Sequence, residues 1–458
     1  MISYAFIALV PAVLAAQAPQ FVAPQQGPTL VSSNYVGANN GSLAKSTVVP
    51  GKVFDRFTQV WMENTNFEVA ATSAAFIELA KQGIVLTSSY STTHPSEPNY
   101  AASVGGDFWG MGDDDFYNIP ANISTVIDLL EAKNISWATY QENLPEDGYG
   151  GFEFTQPNYL NSSAPPYTYY MRKHNPPVLY DSVTSVPERL ARIRNFNDFA
   201  VDVNASAIPQ WVFITPNMVN DAHDTDIDFG SDWLQSWLVP LLSNPNFNDN
   251  RTLILLTFDE NETVDINNQI FSILLGGAIP ENLRGTNDST YYTHYSSLSS
   301  VEANWELGSL GRQDTNKTVS NVYDFLAQIV GYKNLNVSGN DIPLTNLTGN
   351  IPGPLNAQFF VPFAAPNVNA VGAGGGPVFI SPGMNVSVTP QTLPAPVNLT
   401  ALNETVPNAG PTSATGSSGA AATPTGPTSS SQVGSDAVKL VASLAVVFVA
   451  GGTALFMV

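Results

Sequence analysis

Short, continuously apolar runs alternate along the chain with longer stretches in which apolar residues recur at helical spacing. The apolar runs predict buried strands at 53–61, 84–87, 136–140, 210–215, 252–258 and 269–275. The helical spacing predicts helices at 66–82, 123–132, 187–195, 232–242 and 321–331. Strands that alternate with helices predict an α/β fold, with a mostly parallel central sheet covered by helices on both faces.

The two ends of the chain differ from this body. Residues 1–18 form an apolar run that ends in Ala16-Gln17-Ala18, which is typical of a secretory signal peptide; the alternative is a buried N-terminal helix. Residues 19–52 are polar and rich in turn formers, and we interpret them as an N-terminal arm.

The body itself is predicted to span residues 53–350, followed by an extension at 351–405 that packs on it. Residues 406–435 are rich in Pro, Thr, Ser and Gly and predict an unfolded stalk. The small residues, polar spacer and apolar tail at 436–458 are typical of a GPI-attachment signal, whose tail is removed; the alternative is a membrane-spanning tail.

Composition narrows the class of protein. The 458 residues include 16 Lys and Arg against 38 Asp and Glu, a net charge of −22, which makes nucleic acid an unfavourable partner. The absence of cysteine excludes disulfides, thiolate metal sites and a cysteine nucleophile. Fourteen Asn-x-Ser/Thr sequons, together with the signal peptide, predict a glycosylated protein outside the cell.

Polar side chains that can carry chemistry cluster where predicted strands end. Glu63 and Asn64 follow the first strand and offer hard oxygen ligands, although Asn64 could instead cap the next helix. In the segment 93–100, two prolines restrict the backbone around Ser96 and Asn99. Ser96 is a candidate nucleophile and Asn99 a candidate donor to an anionic oxygen, and the alternative is a simple proline-rich turn.

Two further clusters follow later strands. Asp221 and His223 lie just beyond the strand at 210–215, where a histidine could bind metal or protonate a leaving oxygen. Asp259 and Glu260 close the strand at 252–258, and adjacent buried carboxylates need a cation or a proton. The alternative for this pair is a solvated turn that carries a glycan on Asn261. His294 is a further candidate site residue, in the polar segment 293–297.

In their order along the chain, these motifs resemble the phosphoesterase family, which includes secreted fungal acid phosphatases, bacterial AcpA-type acid phosphatases and phospholipases C. The resemblance rests on Glu63-Asn64, Ser96-x-Pro98-Asn99, Asn220-Asp221-x-His223 and Thr257-Phe258-Asp259-Glu260, and it covers roughly residues 53–335. The family belongs to the alkaline-phosphatase superfamily, so the resemblance implies an alkaline-phosphatase-like fold.

The resemblance implies a divalent metal held by residues of two strand ends, namely Glu63, Asn64, Asp259 and Glu260. The chain lacks the Asp-x-x-x-His pair and the Asp-His-Gly element of two-zinc members, so we expect one metal rather than two. Ser96 would bridge the metal and phosphorus as nucleophile.

The other implied roles concern the substrate. Asn99 would bind a phosphoryl oxygen, His223 and His294 would contact the phosphate or the leaving group, and Asp221 would orient a histidine or support a second metal. For His94 we leave open a supporting role and simple packing, and for His174 we favour a structural role.

The resulting expectation is a cell-surface acid phosphatase that cleaves small phosphate monoesters through a phosphoserine intermediate. Phosphate has its second pKa near 6 and histidine near 6.5, so activity below about pH 6 is expected. The alternatives are a phospholipase C or another phosphodiesterase on the same scaffold, and a non-catalytic, glycosylated cell-wall protein.

Overall fold

A computed structural model describes residues 40–158, 161, 163–343, 349–407 and 409. The predicted signal peptide, the GPI-attachment signal and almost all of the stalk lie outside these residues. None of the helices in the described part of the chain combines the length and the apolar character that a bilayer-spanning segment requires.

The predicted α/β fold with a mostly parallel central sheet is confirmed. The sheet has eight strands in the order β11-β2-β10-β9-β1-β8-β4-β7, and only the pairs that β10 makes with β2 and β9 are antiparallel. The strands of the described residues are β1 (Arg56–Met62), β2 (Ile84–Leu86), β3 (Ser89–Tyr90), β4 (Trp137–Gln141), β5 (Glu153–Gln156), β6 (Tyr167–Met171), β7 (Ile193–Asn195), β8 (Trp211–Thr215), β9 (Thr252–Phe258), β10 (Ser272–Leu275), β11 (Thr286–Asp288) and β12 (Tyr292–Thr293).

The α-helices connect these strands and cover the sheet. They are α1 (Phe67–Thr72), α2 (Ala74–Ala80), α3 (Ser96–Gly105), α4 (Val126–Glu131), α5 (Asp181–Thr184), α6 (Pro187–Leu190), α7 (Phe196–Asn204), α8 (Ile227–Leu242), α9 (Tyr295–Trp305), α10 (Asp324–Val330) and α11 (Leu399–Leu402). Single 3₁₀ turns occur at Arg172–His174, Pro176–Leu179, Glu281–Leu283, Gln313–Thr315 and Gly339–Asp341.

Two hydrophobic cores lie on opposite faces of the sheet, because successive side chains of a strand point to opposite sides. In β9, Leu253 and Leu255 join one core, which includes residues of α3, α4, α9 and α10. Ile254 and Leu256 join the other, which includes residues of α2, α7 and α8. The helices therefore cover both faces, as the sequence predicts.

Three local predictions need correction. The helix predicted at 66–82 is two helices, α1 and α2, divided at Ser73, whose backbone is extended. The helix predicted at 187–195 ends at Leu190, because Ile193–Asn195 pairs with β4 as a buried strand. The proline-rich segment around Ser96 is not a simple turn: Ser96 begins α3, and Pro98 is accommodated in the first helical turn.

The segment from Gly349 onward contributes short contacts rather than a layer of its own. Val378 forms a bridge with Ser309, and the backbone N–H of Leu355 donates to the carbonyl oxygen of Trp109 at 3.0 Å. The side chain of Asn356 donates to the carbonyl oxygen of Gly110 at 2.9 Å.

Candidate active site

The acidic residues of the candidate site lie at the carboxyl ends of neighbouring parallel strands. Glu63 follows β1, and Asp259 and Glu260 follow β9, its direct neighbour in the sheet. The backbone continues the ladder beyond the strands: Asp259 N donates to Met62 O at 3.1 Å, and Glu63 N donates to Asp221 O at 2.9 Å. The ends of parallel strands are where ligands bind in open α/β sheets.

Ser96 faces these acids from the N-terminus of α3. Its hydroxyl lies 3.1 Å from Glu63 Oε2 and 3.4 Å from Glu260 Oε1. Ser96 and Glu260 lie 164 positions apart in sequence, and the fold brings their side chains into contact, as the sequence-based hypothesis requires of this pair. The positive end of the helix dipole at this position favours negative charge on the serine oxygen or on a bound phosphate.

Glu63 also contacts a second group of residues. His174 Nε2 lies 3.2 Å from Glu63 Oε1, and His174 Nδ1 lies 3.6 Å from Asp221 Oδ2. One ligand atom from each of these three buried residues lies within 4.8 Å of the others, a spacing that could hold a metal ion. The Tyr100 hydroxyl donates to Glu63 Oε1, and the Tyr100 ring stacks on the His174 ring with centroids 5.1 Å apart.

Burial dominates the electrostatics of the cluster. Burial raises the pKa of Glu63 well above its usual range, and the nearby carboxyls of Asp259 and Asp221 raise it further. Burial likewise raises the pKa of Glu260, of Asp221 and of Asp259. Several neighbouring carboxyls whose ionisation is opposed by burial are typical of a site that a cation completes.

Lys173 is a buried ammonium facing this cluster. Its Nζ lies 3.0 Å from Asp114 Oδ2 and 3.4 Å from His223 Nε2. Burial alone would lower the pKa of Lys173, but the carboxyls of Asp114, Glu63 and others outweigh burial and raise it. Asp114 also accepts a hydrogen bond of 2.9 Å from the backbone N–H of Glu97, so it ties Lys173 to the start of α3.

The donor atoms of the cluster fit a divalent cation. Asp221 Oδ2 and Asp259 Oδ2 are buried and have no hydrogen-bond partner among the described residues. One position of the Asn64 amide lies 3.1 Å from Glu63 Oε2 and 3.3 Å from Asp259 Oδ1, where it acts as an NH₂ donor or, in the opposite orientation, as an oxygen ligand. Burial, Lys173 and His223 lower the pKa of His174, which keeps the imidazole neutral and able to bind metal.

Asn99 and His94 hold the turn that precedes Ser96. The amide oxygen of Asn99 accepts hydrogen bonds from Thr92 N at 3.1 Å and Thr93 N at 3.0 Å, while its nitrogen donates to Thr93 O at 2.8 Å. The same nitrogen lies 3.4 Å from Glu260 Oε2, and His94 Nδ1 lies 2.7 Å from that oxygen. The predicted hydrogen bond from Asn99 to a phosphoryl oxygen stays a prediction.

The two predicted substrate-binding histidines differ in their surroundings. His223 Nδ1 lies 2.7 Å from Asp224 Oδ1, and its ring centroid is 5.9 Å from that of His174. His294 is buried, its Nε2 lies 2.6 Å from the carbonyl oxygen of Asp259, and its ring packs on Trp61. Burial lowers the pKa of His294 to about 4. The predicted contact of His294 with phosphate stays a prediction.

Sequence reasoning missed two residues of this site. It favoured a structural role for His174 and gave Lys173 none, yet both lie in the cluster, on the 3₁₀ turn after β6. The signal was a rare Lys-His pair in a chain with only four histidines. The alternative of a solvated turn with a glycan on Asn261 is wrong, because Asn261 is 1% exposed and its amide donates to Thr263 O.

The chain is similar in sequence to a family of phosphoesterases and to fungal acid phosphatases. A sequence profile of the Phosphoesterase family matches residues 48–308. An acid phosphatase from Aspergillus fumigatus is 49% identical over 77% of this chain and 76% of its own length. A phosphate-repressible acid phosphatase from Penicillium chrysogenum is 46% identical over 68% of this chain and 72% of its own. Among solved structures, a protein in the alkaline phosphatase superfamily from Vibrio parahaemolyticus aligns with a TM-score of 0.33 and 10% identity, over 56% of this chain and 68% of that one.

Proposed function

The chain belongs to the phosphoesterase family, and on that premise we propose that it hydrolyses phosphate monoesters through a phosphoserine intermediate on Ser96. It is an acid phosphatase, as its fungal relatives are named. One observation carries the mechanism: the Ser96 hydroxyl lies 3.1 Å from one buried carboxylate and 3.4 Å from another, at the positive end of a ten-residue helix.

In the first step, Ser96 Oγ attacks phosphorus and its proton passes to Glu63 Oε2, the nearer carboxylate oxygen. The bond from phosphorus to the ester oxygen breaks as the bond from Oγ to phosphorus forms. The leaving alcohol takes up a proton from His223. In the second step, water attacks the phosphoserine and gives a proton back to His223, Ser96 recovers its proton from Glu63, and inorganic phosphate leaves.

Glu63 is common to both groups of candidate metal ligands. The first group, implied by the resemblance, adds Asn64, Asp259 and Glu260 to Glu63. The second group, which the geometry indicates, adds His174 and Asp221 to Glu63. A divalent cation bound there would offset the carboxylate charge and favour the ionised form of the serine hydroxyl. A ligand set of carboxylates, an amide oxygen and an imidazole suits a first-row transition metal as well as Zn²⁺.

Lys173 supplies positive charge at the site, and His223 lies beside it. The ammonium of Lys173 can pair with a phosphoryl oxygen. This pairing would offset part of the repulsion between the phosphate and the carboxylates of the cluster. Burial lowers the pKa of His94, His174 and His294. His223, whose Nδ1 lies 2.7 Å from Asp224 Oδ1, is the candidate donor of a proton to the leaving oxygen.

Replacement of Ser96 by alanine tests this mechanism. We expect Ser96→Ala to lower the turnover of p-nitrophenyl phosphate by at least about 10³-fold, and acid-quenched wild-type enzyme to carry phosphate on the peptide with Ser96. Ser103→Ala is the matched control, because Ser103 lies in the same helix and donates to Tyr100 O at 2.7 Å. Near wild-type turnover by Ser96→Ala, or label on another residue, would exclude the proposal.

The same preparations decide between substrate classes. We expect higher rates with p-nitrophenyl phosphate than with bis-p-nitrophenyl phosphate or phosphatidylcholine. Faster cleavage of either diester would favour a phosphodiesterase or a phospholipase C.

A separate experiment examines the metal ligands. Dialysis against EDTA should abolish the phosphatase activity. The Asn64→Ala and His174→Ala variants should each contain less metal per chain than wild type, as measured by plasma mass spectrometry. Full metal content in both variants would contradict these ligand assignments.

We further propose that the enzyme acts at the cell surface, where it releases phosphate from small esters. The sequence features that support this location are the predicted signal peptide at 1–18, the predicted stalk at 406–435 and the predicted GPI-attachment signal at 436–458. Release of the enzyme from intact cells by a phosphatidylinositol-specific phospholipase C would support the anchor, and uniform cytosolic recovery would contradict it.

A further inference from the structure

A groove with apolar walls lies between α1, α2 and one edge of the central sheet, and none of the acidic residues of the candidate active site lines it. Its volume is about 460 Å³. The Phe67 and Phe271 rings form part of its wall with centroids 5.2 Å apart, and Ile77, which is 42% exposed, forms another part. Burial of the apolar side chains that this groove exposes would be favourable, so a group that covers them stabilises the folded protein.

Asn287 lies at the rim of this groove. It is the middle residue of β11, the strand at the end of the sheet, where it pairs with Val85 of β2. The side chain is exposed, and Asn287-Asp288-Ser289 is an N-glycosylation sequon. The sequon thus places a possible attachment point for a sugar directly beside the apolar wall.

We infer that an N-linked glycan is attached to Asn287 and that its first sugars cover this groove. In the attachment reaction, the Asn287 amide nitrogen forms a bond to the anomeric carbon of an oligosaccharide carried by a lipid pyrophosphate. The amide loses one proton and the lipid pyrophosphate leaves. This inference is independent of the reaction proposed for Ser96.

The position gives the glycan two physical effects. The apolar faces and acetyl group of the first N-acetylglucosamine can pack on the half-buried Phe67 ring and on the exposed Ile77 side chain and remove apolar surface from water. The glycan also blocks the outer edge of β11, which has no further strand beside it among the described residues. A covered edge cannot pair with the sheet of another molecule.

The structure also separates Asn287 from other sequons. Asn261 belongs to a sequon but is buried, and its amide is held by Thr263 O, so the folded site has no room for a sugar. Asn316 is exposed and its sequon does not line the groove, so a glycan there would extend into solvent. These two residues are the matched comparisons for the test.

The first experiment uses the full chain secreted from a yeast host. Glycopeptide mass spectrometry should find sugar on Asn287 and none on Asn261. Under native conditions, an endoglycosidase should release the Asn287 glycan about tenfold more slowly than the Asn316 glycan, a factor equal to about 1.4 kcal/mol of protection. An unmodified Asn287, or equal release rates, would overturn the inference.

The second experiment removes the sequon in two ways, by Asn287→Gln and by Ser289→Ala, with Asn316→Gln as control. Both groove variants should bind about twofold more of the apolar dye ANS and aggregate at a lower temperature than the control. Phosphatase turnover should be unchanged, because neither Asn287 nor Ser289 belongs to the candidate active site. If the groove variants match Asn316→Gln in dye binding and aggregation, the glycan does not cover the groove.

Discussion

Replacement of Glu63 by glutamine should make the metal-free protein more stable while it removes the activity. The Glu63, Asp221 and His174 ligand atoms lie within 4.8 Å of one another, all buried. Two unit charges of like sign at that distance repel by about 3.5 kcal/mol at an effective dielectric constant of about 20. A proton taken up by the cluster relieves part of this repulsion, because burial and Asp259 raise the pKa of Glu63.

We therefore expect Glu63→Gln to raise the free energy of unfolding of the EDTA-treated protein by about 1–3 kcal/mol at pH 7. Glutamine has the same shape, and its amide oxygen can still accept from the Tyr100 hydroxyl. In excess Mn²⁺ or Zn²⁺ the order of stability should reverse, because a cation that binds only the folded state stabilises it by RT ln(1 + [L]/Kd), and the variant binds the cation more weakly. The variant should lose the metal-induced rise in unfolding temperature and at least about 10³-fold in turnover.

Thermal unfolding with and without metal, followed by fluorescence, measures both halves of this prediction. Glu78→Gln is the control, because Glu78 is an exposed acid of α2 paired with Lys81 and should change neither curve. If Glu63→Gln destabilises the EDTA-treated protein as much as the metal-loaded protein, like-charge repulsion does not strain the cluster and the reasoning fails.

Three further predictions concern other parts of the structure. Burial and, next, Asp314 raise the pKa of Glu302, so the stability that protonated Glu302 contributes is fully present below the ordinary pKa of about 4.3 and is lost as pH rises through the raised pKa. The unfolding temperature of Glu302→Gln should therefore rise relative to that of wild type between pH 4 and pH 8. A difference that stays constant with pH would contradict this. Asn304→Ala removes the acceptor of two buried backbone N–H groups and should cost about 2–5 kcal/mol in urea unfolding, with a loss under about 1 kcal/mol as the contrary result. Tyr100→Phe removes the hydroxyl that orients Glu63 and should weaken metal binding about 10–100-fold in chelator titrations, whereas unchanged affinity would exclude that role.

Much of the sheet could be predicted because its signals are local. The run from Thr252 to Phe258 is apolar at nearly every position, and the structure has a strand with those bounds. Acids directly after such strands could be placed at one sheet edge by topology alone. The sequence did not predict α9, because this helix is rich in serine and buried on all sides. Its sequence therefore lacks the apolar stripe that identifies a helix at the surface.

Residues that reach the site through irregular backbone could not be placed in the same way. Lys173 and His174 follow the β5–β6 hairpin and lie on a single 3₁₀ turn, where no periodicity indicates a direction for the side chains. The start of α3 at Ser96 was hidden by two prolines, which are typical of turns but also fit a first helical turn.

The hydrogen bonds that link Met62 to Asp259 and Glu63 to Asp221 join backbone groups. The main chain therefore fixes the positions of these strand ends, whichever side chains they carry. A scaffold of this kind should keep its shape when its reactive groups are exchanged. New reactions could thus arise here by substitution at strand exits, with no redesign of the sheet beneath them.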